Sequence, residues 1–217
     1  MENYNENNTI ELGGTVVSAP ELSHEIYEEK FYKFSVETKR LSSMSDILPI
    51  IVSERLINVE EITVGKMLHI VGQVRSYNKQ VGEKSKLVLS VFAKEIEETE
   101  DESILTLNDA NFNGYLCKAP IYRKTPLGRE ISDVLVAVNR SYKKSDYIPC
   151  ILWGRNAKFS EKLVVGTNVR ISGRIQSRKY EKIHEDGTTK EMTAYEISAS
   201  KFSIVKEEEK EENTEEV

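Results

Sequence analysis

The sequence predicts an all-β chain, with short helices, folded as two tandem copies of one small five-stranded barrel. The first observation behind this is an internal repeat. Gly14 recurs as Gly114, Pro20 as Pro120 and Arg40 as Arg140, each at an offset of 100. Asp46-Ile47-Leu48-Pro49-Ile50-Ile51-Val52 recurs as Asp146-Tyr147-Ile148-Pro149-Cys150-Ile151-Leu152 in the same register. One inserted residue later, Val64-Gly65 matches Val165-Gly166 and Val71-Gly72 matches Ser172-Gly173, at an offset of 101. Chance identities do not hold one register over some sixty residues. Two copies are too few for a solenoid, so each must close a core of its own. The second observation is that each copy carries the same series of strand-like segments.

Copy 1 begins with an extended segment, Thr9–Ser18. Phe31–Arg40 follows, with Phe31, Tyr32, Phe34 and Val36 supplying the aromatic and β-branched content that suits a pleated surface. Ile47–Val52, Lys66–Tyr77 and Lys86–Glu97 complete five strands, and Ser53–Glu61 is a candidate short helix between the third and fourth. Copy 2 repeats the plan as Asn111–Ala119, Arg129–Arg140, Asp146–Trp153, Thr167–Lys182 and Glu191–Val205. A helix over Asn156–Leu163 occupies the same slot and ends before Gly166. Five strands with a helix after the third suggest an oligonucleotide-binding (OB) barrel, although other small sandwiches share that strand count. The expected division is a first barrel over 1–98, an acidic linker over 99–108, a second barrel over 109–206 and an acidic tail over 207–217. The acidic run Glu95–Ser103, ending near Leu105, reads as a solvated spacer. The nearly all-Glu tail has too little apolar surface to fold.

With 30% charged and 39% hydrophobic residues, the 217-residue chain has a globular balance. No apolar run approaches the ~20 residues that span a bilayer, and Met1–Thr9 lacks a secretory pattern. Cytoplasmic localisation, at the nucleoid, is the expectation, with no membrane partner. Cys117 and Cys150 lie in strand-like runs and read as buried free thiols. The three histidines, His24, His69 and His184, are far apart, so no metal site and no cofactor is expected. Paired carboxylates, nucleophile–base sets and glycine-rich phosphate loops are missing from the pattern, which speaks against an enzyme. The net charge of −6 is unevenly spread. Residues 1–108 are net −8, residues 109–206 net +8 and residues 207–217 net −6. The basic part is the candidate surface for a polyanion.

Two strands of copy 2 bring cations and aromatics together. In Tyr147–Gly154, Ile148, Cys150 and Leu152 point one way, and Tyr147, Ile151 and Trp153 the other. A strand with a full apolar face does not need two large aromatics opposite it for stability. In Asn168–Tyr180, Val169, Ile171, Gly173 and Ile175 alternate inward, while Arg170, Arg174, Arg178 and Tyr180 share the other face. Three arginines on one strand face repel each other unless an anion lies across them. Single-stranded nucleic acid asks for such a set: a cationic groove for the backbone and flat π-faces for the bases. Nothing in the set reads a base edge, so weak sequence preference is expected.

Over about Asn113–Tyr180, copy 2 resembles the bacterial single-stranded-DNA-binding protein (SSB) family. The similarity runs through Gly114-Tyr-Leu-Cys-Lys-Ala-Pro120-Ile-Tyr-Arg123-Lys-Thr-Pro-Leu-Gly128 and Ala137-Val138-Asn139-Arg140. It continues through Tyr147 to Trp153-Gly154-Arg155-Asn156-Ala157 and Gly173 to Tyr180. The resemblance implies an OB fold and single-stranded DNA as ligand in replication, recombination or repair. It also implies bases stacked on Tyr142, Tyr147, Trp153 and Tyr180, with Arg123 as a basic contact. The family groups four OB folds, so two per chain imply a homodimer.

Copy 1 departs from this pattern. Opposite Tyr142, Tyr147 and Trp153 stand Ser42, Ile47 and Ser53, and opposite Arg123 stands Ser23. Opposite Arg170, Arg174 and Arg178 stand His69, Gln73 and Tyr77. The expectation is that copy 1 is a degenerate copy kept for assembly, with Tyr77 its one stacking candidate. The family's acidic tail carries an aromatic tip that recruits replication and repair proteins, whereas this chain ends Thr214-Glu215-Glu216-Val217. An OB-type adaptor that docks proteins and touches nucleic acid weakly is the alternative reading, and stacking alone does not separate DNA from RNA.

Overall fold

The computed structural model describes residues 7–81, 84–141, 143–183 and 188–205. The first half comprises β1 (Asn8–Val16), β2 (Glu21–Ile26), β3 (Glu29–Lys39), β4 (Ser45–Ser53), β5 (Met67–Val81) and β6 (Lys84–Glu98). Here β1 pairs with β3 and β5, β3 with β4, β5 with β6, and β4 runs parallel to β6 at Ile50↔Val91. Those pairings close a five-stranded ring. The second half comprises β7 (Asn108–Leu116), β8 (Ile121–Lys124), β9 (Glu130–Arg140) and β10 (Lys144–Trp153), then α1 (Arg155–Ser160), β11 (Asn168–Ile183) and β12 (Thr189–Ile204). It closes the same ring, with the parallel pair at Cys150↔Ile197. β2 and β8 hang on β3 and β9 as short outer strands that sequence reading left out.

The repeated glycines sit where closure leaves no room for a side chain. A Cβ on Gly14 or Gly114 would lie 2.4 Å from the carbonyl oxygen of Glu37 or Ala137, where β1 and β7 cross to close the ring. Gly72 and Gly173 face bulges in the partner strands β6 and β12, where Lys94 and Ser200 are the extra residues, and a Cβ there would meet Phe92 O at 2.2 Å or Ser198 O at 2.3 Å. Inside each ring the alternating apolar residues pack as expected. Ile148, Cys150 and Leu152 are buried, as are Leu48, Ile50 and Val52. Cys117 is partly buried and both thiols are free.

Three expectations change. The Ser53–Glu61 segment forms only a 3-10 turn over Val59–Glu61, started by Asn58 accepting from the Glu60 amide. Asn and β-branched residues are poor helix formers, and one turn cannot propagate. The copy 2 helix stops at Ser160, whose hydroxyl donates to Ala157 O, rather than reaching Leu163. The acidic spacer is not simply solvated: Glu95–Glu98 belong to β6, and Glu102–Thr106 form a 3-10 turn. That turn buries Leu105 and lays the Ile104 backbone over Gly13. Residues 207–217, and with them the expected disordered tail, lie outside the described residues.

The barrels join about an approximate two-fold. β1 pairs antiparallel with β7, centred on Ile10↔Ala110. Asn8 donates to Val74 O and accepts from Val74 N, and Asn108 does the same with Ile175. Buried Asp46 of the first barrel accepts from the Ser177 amide and hydroxyl of the second, and buried Asp146 accepts from the Ser76 amide of the first. The joint therefore repeats its contacts as an isologous dimer interface does, within one chain.

Candidate nucleic-acid interface

Strand β10 presents its apolar alternates to the core and its aromatics outward. Tyr147 is 44% exposed and Trp153 37% exposed. They stand six residues apart, about 20 Å along the strand. The Trp153 indole donates to Ser198 Oγ on β12 at 3.0 Å, which fixes its ring plane while leaving an outward face. Arg174 lies opposite Ser198 in the β11–β12 ladder and donates to Gln176. Its buried Nε has no hydrogen-bond partner among the described residues. Trp153, Arg174, Gln176 and Ser198 line an open cavity of about 520 Å³ together with Arg40 and Arg129. A guanidinium beside an indole on one open cavity can hold a phosphate while a base stacks alongside.

Arg178 and Tyr180 sit further along β11, where it projects beyond the barrel with β12. Arg178 lies 5.9 Å from the Tyr180 ring and 3.5 Å from Glu196. Both line a cavity of about 330 Å³ at the seam with the first barrel, where Lys86 reaches across to Thr193 O. Arg123 on β8 is held by Asp133 at 2.9 and 3.3 Å, and that hydrogen bond raises its pKa. A polyanion must compete with Asp133 for it.

The structure splits the predicted arginine face. Arg170 precedes the bulge and pairs with Asn113 and Ser203, on the part of β11 that runs beside β7. It lines neither the Trp153 cavity nor the Tyr180 cavity. It is exposed on the outer face of the joined sheets instead. Tyr142 lies outside the described residues. Sequence reading missed Arg40, Arg129 and Lys86. Arg40 was visible as a repeat identity with Arg140, but its reach across the joint to the second barrel's cavity was not.

Residues 107–205 match the single-strand binding protein family. Over 113 residues the chain is 34% identical to single-stranded DNA-binding protein B of Bacillus subtilis, covering 48% of this chain and 96% of that protein. The chain belongs to the single-strand binding protein family. Single-stranded DNA-binding protein 2 of Streptococcus agalactiae serotype V is 35% identical over 99 residues, covering 42% of this chain and 72% of the relative. The crystal structure of the wild-type single-stranded DNA binding protein from Thermus aquaticus superposes with a TM-score of 0.75. That match covers 93% of this chain and 94% of the other at 15% identity, so the shared fold extends over both barrels. The family match itself falls on the second barrel alone.

Proposed function

We propose that this member of the single-strand binding protein family binds single-stranded DNA without marked sequence preference, during replication, recombination or repair. The observation that carries the reading is Trp153, anchored at its edge by Ser198, on the same cavity as the Arg174 guanidinium. Tyr147, Tyr180, Arg178 and Arg123 extend that surface along β10, β11 and β8, and Tyr142 and Arg170 are assigned to it from sequence. The relatives' names supply the ligand class. Two chains forming a homodimer, at the nucleoid of the cytoplasm, complete the reading. Its support is the two-barrel chain and the family's grouping of four OB folds.

Trp153 is the single tryptophan, so its fluorescence reports this site alone. Titration with oligo-dT at low salt is expected to quench it, with affinity falling steeply as salt rises. Absence of quenching, or equal affinity for duplex DNA, rejects the proposal.

A further inference from the structure

The first barrel keeps the chemistry of the second, moved across strand pairs. In the second barrel Arg174 bonds Gln176; in the first, the equivalent pair reads Gln73 and Arg75, and Arg75 donates to Gln73. Trp153 stands beside Ser198 on the neighbouring strand, whereas the first barrel has Ser53 and Phe92 at those two places. Arg178 and Tyr180 become Tyr77 and Lys79, and Arg123 facing Asp133 becomes Ser23 near Lys33. Four exchanges each remove a group from one position and return a like group one strand or one alternate residue away. Position-by-position comparison sees only the losses.

The returned groups converge. Arg75 lies over the Phe92 ring at 5.7 Å, Phe92 meets Phe31 at 5.7 Å, and His24 stacks on Phe31 at 4.8 Å. They open onto a groove of about 960 Å³ that also holds Tyr77, Lys33 and Lys79. Arg140 and Lys144 of the second barrel form its far wall. Arg75 and Arg140 share one carboxylate, Asp146, at 3.4 and 3.8 Å, and Arg140 Nε is buried without a hydrogen-bond partner among the described residues. Lys33, Lys79 and Lys144 make no ion pair among the described residues. Among the described residues Glu21 is the one acidic side chain on the wall. Crowding of this kind asks for a polyanion, and the π-faces of Phe92 and Tyr77 suit one that carries bases.

We infer that the first barrel is a second single-strand binding groove, rebuilt around Arg75, Phe92, Lys33 and Lys79, onto which a strand leaving the Trp153 surface continues. The inference rests on the proposed function and extends it to the half of the chain that the family match does not cover.

The test uses the full chain with oligo-dT of ~8 and ~30 nucleotides, lengths suited to one barrel and to two. The double variant Lys33→Gln/Lys79→Gln removes two exposed charges without touching the core. For the long oligomer its log–log salt slope is expected to be shallower by about 1.4. Trp153 quenching by the short oligomer is expected to stay as in the wild type. Phe92→Leu is expected to lower long-oligomer affinity by about tenfold, again sparing the short one. An unchanged long-oligomer slope with quenching intact overturns this inference and leaves the proposed function standing. Failure of the short oligomer to quench wild-type Trp153 overturns both.

Discussion

The two barrels share a ring, a glycine register and a two-fold joint, yet differ in how they hold their charges. In the second barrel's cavity Arg40 is fixed by Asp46 at 2.7 Å through two nitrogens, and Arg174 stands ready beside Trp153. In the first barrel's groove the equivalent carboxylate, Asp146, lies between two guanidiniums and grips neither closely. One joint is neutralised within the protein and the other is left with excess positive charge. Burial lowers the Arg75 pKa, and Arg140 adds to that against the pull of Asp146. The same backbone thus carries two electrostatic solutions, and the surplus sits on the barrel whose overall sequence is acidic.

The largest expected effect breaks this comparison at the joint. Asp46→Ala strands Arg40 and the Ser177 amide and hydroxyl in a buried place, at a cost of about 3–5 kcal/mol in stability. Asp146→Ala strands the Ser76 amide but breaks only long arginine pairs, so chemical denaturation is expected to show a loss of about 1–3 kcal/mol. Equal losses would mean that the joint is symmetric in energy as well as in geometry. Acid sharpens the same point. Burial pushes the Asp46 carboxyl up, but Arg40 and Ser177 outweigh it and the net shift is downward. Its contribution is therefore present above the unfolded carboxylate value, ~3.9, and is lost as pH falls through the lowered folded value. Wild-type and Asp46→Asn melts are expected to converge in that acid range, and curves that stay parallel would refute it.

Next in size is Trp153→Ala, expected to weaken oligo-dT binding by about 1–3 kcal/mol, measured by fluorescence anisotropy of a labelled oligomer. Ser53→Ala, at the equivalent place in the first barrel, is expected to leave binding unchanged, because the aromatic there is Phe92. A loss at Ser53 comparable with that at Trp153 would defeat the reading that the aromatic has moved strands.

The rings were legible because a strand's period of two and the close-packed glycines both leave marks along the chain. Gly72 and Gly173 recurred in the repeat, and Ile148, Cys150 and Leu152 announced the core. Leu105, the large apolar residue at the end of the acidic run, was the available sign that the linker folds back. The first barrel's groove was not legible. Gln73 faces Phe92, and Ser53 lies alongside, only through pairings between strands far apart in sequence. The distance of Arg170 from both cavities was hidden in a different way. Even-numbered spacing places it on the same face of β11 as Arg174, but Arg170 lies where β11 still runs beside β7, and Arg174 lies past the last β7 pairing at Gly173.

The smallest expected effect lies on the outer face of the joined sheets, where Arg170 of the second barrel answers to His69 of the first. His69 sits between Glu11 on β1 at 2.9 Å and Glu97 on β6 at 3.1 Å, with the Lys66–Glu98 pair close along the same strands. Its hydrogen bond to Glu97 raises its pKa above the ordinary value despite partial burial, and Glu11 adds to the shift. A raised folded value means that the protonated clamp stabilises fully below about pH 6.5 and fades as pH rises through the folded value. Both carboxylates are largely exposed, so the clamp is expected to contribute only about 0.5 kcal/mol. Thermal melts of wild type and His69→Asn are expected to differ at pH 5.5 and to coincide at high pH. Arg170→Gln, at the answering position of the second barrel, is expected to give a difference that does not change with pH. A His69→Asn difference that persists at high pH would show that the imidazole acts there by packing rather than by charge.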